Sequence, residues 1–181
     1  GSHVYNRALM ASLILALGEE KAEEWTRNFV TNLARRPQGN DRAQVKAIYE
    51  GQCDIAIINN YYYGKLKYSE DPIQRKWAST VRLIFPNQGK GDRGAHINIS
   101  GGGVAKHSKN KDLAISLLEF LSKESSQKIY GEINFEYPVN PMVETTDELK
   151  SWGTFRADKV RISDIAKITQ KAQKIIDRTG W

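Results

Sequence analysis

Three consecutive tyrosines, Tyr61, Tyr62 and Tyr63, follow the apolar run Ile55 to Ile58 and the pair Asn59-Asn60; no other residues in this chain are better suited to binding chemistry. A phenol has a free pKa of roughly 10, so it ionises near neutral pH only beside strong positive charge. A bound trivalent ion supplies that charge, and anionic oxygen is a hard donor suited to a hard cation. Tyrosinate on ferric iron has a precedent in haem proteins with an axial tyrosine. The same residues also fit a plainer role, as half-buried aromatics whose hydroxyls stay in water. Three in succession cannot all face one way on a strand or a helix, because side chains diverge at both periods. At most two of them converge on one site.

The elements that must position these tyrosines are short. Ile55 to Ile58 is β-branched and apolar enough for a buried strand, and the asparagines mark its end. Asn60 is placed to cap a helix from Tyr61 to about Tyr68, which sets the hydroxyls near the positive end of a helix. Cys53 sits inside the predicted buried strand and reads as a small core residue. As a lone cysteine it excludes an internal disulfide and zinc-finger spacing.

Around this corner the pattern predicts mostly helix. Leu9, Met10, Leu13, Ile14 and Leu17 recur at helical spacing, with Tyr5 just before the helix and Gly18 as its C-cap. Glu19 to Leu33 is amphipathic, with Trp25 and Phe29 on its core side. Asn40 or Asp41 caps a helix to Glu50, and Asp71-Pro72 starts another that runs to about Ser79. Val81 to Phe85 and His96 to Ile99 read as strands, and Val104-Ala105 resumes one after Gly101-Gly-Gly103. That glycine run lacks the Lys-Ser/Thr of a phosphate loop. Asn110 caps a helix whose Leu113, Leu117, Leu118, Phe120 and Leu121 form a broad apolar face, and Ser125 to Tyr130 adds a shorter one. Tyr137 to Pro141 is extended, Asp147 to Trp152 is briefly helical, and Ser163 caps a last helix with Ile165, Ile168, Ala172, Ile175 and Ile176 facing inward. Helices alternating with four or so short strands indicate an α/β sandwich, a mixed sheet flanked by helices.

Several segments resemble the ferric-iron-binding proteins of bacterial ABC transporters, in order and along nearly the whole chain. They are Val4-Tyr-Asn6, Gly39-Asn-Asp41, Cys53 to Ile57, Asn59-Asn-Tyr-Tyr-Tyr-Gly64, Gly94 to Gly101, Leu117 to Leu121 and Asn134-Phe-Glu-Tyr-Pro-Val-Asn140. The resemblance implies a three-layer α/β sandwich lobe of a two-lobed periplasmic-binding-protein fold. It implies Tyr61 and Tyr62 as iron ligands, with Tyr63 in the variable position and Tyr5 as a further ligand. The remaining ligands come in the family from a preceding first lobe that this sequence does not contain. On this pattern residues 4–100 form the tyrosine-bearing second lobe, 101–142 belong to the first lobe, and 143–181 return as C-terminal helices. The implied cargo is Fe(III), with a synergistic anion such as carbonate as an option, and the implied partners are the permease and the missing first lobe. The implied location is the periplasm, although no signal peptide opens this sequence. Gly1-Ser-His3 resembles a tag scar and also fits the family's polar lead-in to Tyr5.

The whole chain sets the remaining bounds. Its 181 residues suit a domain with a sizeable core. A balance of 27 Lys+Arg against 21 Asp+Glu gives +6, a surface fit for an anionic partner. Interleaved Lys, Arg and Tyr make a nucleic-acid-binding module the rival reading from the residues themselves. The basic residues are scattered, however, and the ordered resemblance decides for iron over nucleic acid. No serine elbow, zincin motif or Cys-His pairing appears, so an enzyme is not expected. His96 and His107 have no ligand-spaced partner and read as surface or packing residues. The apolar face at 113–121 has no evident cover in this chain, so self-association is expected.

Overall fold

The computed structural model describes residues 3–181, which divide into two compact units. The first comprises the chain up to Arg36 together with Phe85–Ile99 and Phe155–Trp181. Its frame is α1 (Val4–Leu17), α2 (Glu19–Thr31) and the C-terminal helix Ile162–Thr179. Strong helix formers fill α1, and Gly18 ends it at φ 86°, a backbone setting that suits glycine. Met10, Ala11, Leu13 and Ile14 of α1 pack with Ala22 and with Ile165, Ala172, Ile175 and Ile176 of the C-terminal helix. The inward side of the C-terminal helix is the one expected from sequence, while on α1 Leu17 of the expected face is 40% exposed instead. Helix 162–179 starts a residue before Ser163, so Ser163 lies within its first turn, and Arg161 is the N-cap. Trp25 and Phe29 stack and meet Trp181 edge-on, which makes them packing residues.

The segment 85–99 is tied into this unit by Arg93. Its guanidinium donates to the Ser12 carbonyl at 3.1 Å and hydroxyl at 2.8 Å, and pairs with Asp158 at 2.7 Å. Ala95 exchanges backbone bonds with the 156–158 segment, from its N–H to the Arg156 carbonyl and from the Asp158 N–H to its own carbonyl, each at 2.8 Å. Gly94 makes this possible: at φ 94° a Cβ would lie 2.6 Å from the Arg156 carbonyl oxygen.

The second unit comprises Pro37–Ile84 and Ser100–Thr154. It holds α3 (Asp41–Tyr49), α4 (Asn60–Lys67), α5 (Pro72–Ser79), α6 (Lys111–Leu121), α7 (Glu124–Ile129) and α8 (Asp147–Ser151); the last helix of the chain, Ile162–Thr179 in the first unit, is α9. Asn40 caps α3 through the Ala43 N–H, and Asp71 caps α5 through the Ile73 N–H with Pro72 following. Val45, Leu66 and Ala78 form a small core, with Ile58, Tyr63, Trp77 and Val81 against it. The shorter helix expected at 125–130 begins at Glu124 and continues as a π-helical turn, Tyr130–Asn134.

The expected α/β sandwich with a mixed sheet is overturned. Among the described residues the β pairing is a single parallel bridge, Ala95 with Ala157, and the rest of the regular structure is helical. The stretches 55–58, 81–85, 96–99 and 104–105 carry strand-like residues but lie in no ladder. A strand needs a neighbouring backbone about 4.8 Å away to satisfy its N–H and C=O groups, and β propensity expresses packing on a sheet already formed. Without such neighbours Ile55 and Ile84 stand 84% and 73% exposed. Cys53 is half-buried outside any strand rather than a core residue. No described helix is long and apolar enough to cross a membrane.

Candidate metal centre

Asn59 and Asn60 carry the chain from an extended run into α4. Asn59 adopts the N-cap backbone conformation without a side-chain cap bond, one residue before the cap expected at Asn60. The cause lies in α3: Asp41 Oδ1 accepts the Asn59 backbone N–H at 2.8 Å and its side-chain Nδ2 at 3.1 Å. The side chain is drawn toward α3, and the helix begins at Asn60.

Tyr61 and Tyr62 stand in the first turn of α4 with ring centroids 4.3 Å apart and planes inclined by 32°. Lys65 Nζ lies 5.3 Å from the Tyr61 centroid, and the Arg42 guanidinium lies 5.9 Å from that of Tyr62. Cations over ring faces are attracted to the π electrons. Lys65 and Arg42 thus bring positive charge to this corner. Tyr63 takes another direction, edge-on to Trp152 at 5.7 Å and against the Val45–Leu66–Ala78 core. Tyr5 lies in the first turn of α1 rather than just before it, because His3 caps that helix by accepting the Tyr5 N–H at 3.3 Å. Of the three expected ligands, then, Tyr61 and Tyr62 come together in the second unit, and Tyr5 belongs to the first. Among the described residues no three His, Cys, Asp or Glu side chains gather as a metal site.

Sequence reasoning missed the residues that hold α4 in place. Glu148 on α8 accepts Lys67 Nζ at 2.7 and 2.9 Å, the Tyr68 hydroxyl at 2.6 Å and Trp152 Nε1 at 2.8 Å. Phe135 closes over Gly64, stacked on Tyr68 at 5.5 Å. No local signal points to these contacts, since Lys67 and Glu148 are 81 residues apart. Both Asn134-Phe-Glu-Tyr-Pro and the segment ending at Gly64 were visible in the sequence, but the contact of Phe135 with Gly64 was not.

Burial pushes the Glu148 carboxyl up, but hydrogen bonds from Lys67, Tyr68 and Trp152 together outweigh it and hold the group below the usual carboxylate range. The hydrogen bond to Glu148, followed by burial, pushes the Tyr68 phenol up. A carboxyl depressed in the folded state contributes stability that is fully present above its unfolded value, about 4.3, and lost as pH falls through the lower folded value. The Trp152 indole proton resonance should therefore titrate with a midpoint below that unfolded value as Glu148 gains its proton. A midpoint at or above it would contradict the contacts described.

The chain matches the bacterial extracellular solute-binding protein family over residues 16–157. It is 41% identical to iron uptake protein A2 of Synechocystis over 180 residues, 99% of this chain and 52% of that protein. It is 28% identical to the major ferric iron-binding protein of Neisseria meningitidis, over 94% of this chain and 49% of that protein. A Trichodesmium protein solved in complex with iron and citrate ligands superposes with a TM-score of 0.94 at 45% identity, covering all of this chain and 57% of that one. The ferric iron-binding protein A of Mannheimia haemolytica in an open conformation gives 0.90 at 45% identity, covering 97% and 54%. The chain thus spans about half the length of the curated relatives it matches. With that match across most of its length, this chain belongs to the bacterial extracellular solute-binding proteins.

Proposed function

We propose that this chain binds ferric iron through the phenolate oxygens of Tyr61 and Tyr62, with Tyr5 as a third ligand, and serves delivery of the ion to an ABC-transporter permease in the periplasm. The observation that carries this reading is the pair Tyr61–Tyr62 in the first turn of α4, rings 4.3 Å apart with a cation over each. Relatives that are named for iron uptake and ferric iron binding support it. Three phenolates balance the charge of Fe(III) but leave Fe(II) over-compensated, so the oxidised ion is held more tightly. Protons compete for the same oxygens, so acid releases it. An anion such as carbonate is the natural occupant of remaining coordination positions; the Trichodesmium relative was solved in complex with iron and citrate ligands. Nothing in this role requires turnover of a substrate.

Equilibrium dialysis against ferric iron in air and ferrous iron under anaerobic conditions tests the reading. Retention of the ferric ion with little of the ferrous is the result expected. Equal retention of both would point away from phenolate ligands.

We also propose that α6 pairs with a second copy of itself. Leu113, Leu117 and Phe120 stand 71%, 56% and 50% exposed, and no residue of α6 is buried. Leu118 and Leu121 of the same expected face are half-buried within their own unit. An antiparallel pairing centred between Ser116 and Leu117 sets Phe120 of one copy opposite Leu113 of the other. Each large apolar side chain so covered contributes about 1.5–3 kcal/mol. Sedimentation over a tenfold concentration range should show a rising mass; a strict monomer throughout would contradict the pairing.

A further inference from the structure

The geometry points to Glu148 as the positioning residue for the tyrosine corner, an inference that rests on the phenolate reading above. Helix α4 has eight residues and no side-chain cap bond at its N-terminus. Helices this short are marginal on their own in water, so their setting comes from tertiary contacts. Among the contacts around α4 in the second unit, four hydrogen bonds converge on one carboxylate. Glu148 Oε1 accepts from Lys67 and Trp152, and Oε2 from Lys67 and Tyr68. Its side chain is 17% exposed, so little water competes for these oxygens.

The carboxylate acts on α4 at both ends. Lys67 and Tyr68 fix the last turn and the residue that follows it. Trp152, held by its indole N–H, sets its ring edge-on to Tyr63 in the first turn, 5.7 Å away at 71°. With Tyr63 pinned there, the helical period places Tyr62 and Tyr61 about 100° and 200° around the axis from it. They are thereby turned off the packed face. Glu148 touches neither Tyr61 nor Tyr62 in any of these contacts, so its effect on a bound ion passes through the direction of α4.

The test is to titrate ferric iron into the wild-type chain, Glu148→Ala, Glu148→Gln and Val143→Ala, following the tyrosinate charge-transfer band and the urea midpoint of each. Outer-sphere partners of metal ligands typically carry about 10–100-fold in affinity. Glu148→Ala should lose affinity in that range and shift the band, while Glu148→Gln, which keeps one accepting oxygen, should recover part of both. Val143 is 6% exposed in the same unit and belongs neither to the core against Tyr63 nor to the hydrogen bonds of Glu148. Its truncation should lower the urea midpoint but leave the affinity within about threefold, well short of the outer-sphere range. A wild-type band and affinity in Glu148→Ala would overturn the positioning role, as would an equal band shift in Val143→Ala. If Glu148→Ala does not fold, Glu148→Gln carries the test, with a loss of at least about threefold expected and an unaltered band overturning it. Absence of a band in the wild type would instead sink the phenolate reading itself, and this inference with it.

Discussion

Tyr62→Phe is expected to lower ferric affinity by at least about 100-fold, more than the loss of an outer-sphere partner, because it deletes an oxygen of the proposed ligand set. Tyr61→Phe should do the same. The substitution keeps each ring, so the 4.3 Å contact between the two and the cations over their faces persist. Tyr63→Phe should leave affinity within about threefold, short of even an outer-sphere loss, since the Tyr63 ring is engaged with Trp152 and the Val45–Leu66–Ala78 core. The three variants therefore separate the helix direction from the mere presence of tyrosine. Loss of iron in Tyr63→Phe with binding retained in Tyr62→Phe would place the ligand pair in another register.

Gly64→Ala is expected to destabilise the second unit by about 1–3 kcal/mol, the range for forcing atoms into a packed core. The sign is the informative part. In an unhindered helix the same change stabilises by about 0.8–1.0 kcal/mol, because alanine is the better helix former. At Gly64 the new methyl would lie 2.3 Å from Phe135 Cγ and 2.6 and 2.7 Å from its Cδ atoms. That ring has little room to retreat: Phe135 is 8% exposed, its backbone sits at φ 58°, and the ring stacks on Tyr68 and lies 6.2 Å from Trp152. A lowered urea midpoint is the result expected. A midpoint equal to the wild type or above it would mean that Phe135 does not close on α4.

The contrast between α4 and α5 shows what could be read from sequence. Asp71-Pro72 carries its own start signal within two residues, and α5 begins where that signal says. The cap of α4 moved by one residue because Asp41, eighteen positions away, takes the side chain of Asn59. The inward face of α9 was legible because helical spacing is a local property of the chain, and Ile165, Ala172, Ile175 and Ile176 are buried as it requires. The sheet was not legible in the same way. Ile55 to Ile58 has the residues of a strand, but a strand also needs a second backbone, and local composition cannot supply one. The tyrosine pair was visible as residue types at a spacing. The direction in which it points depends on Trp152, Phe135 and Glu148, which are brought to α4 by tertiary packing alone.

Titration of Fe(III) into the chain at neutral pH, followed by visible absorption, reads the proposed phenolate–iron bond itself. A tyrosinate-to-iron charge-transfer band should grow to saturation, disappear on reduction, and disappear on acidification as protons take the phenolate oxygens. A chain that binds no ferric iron, or binds it without such a band, would rule out phenolate ligation.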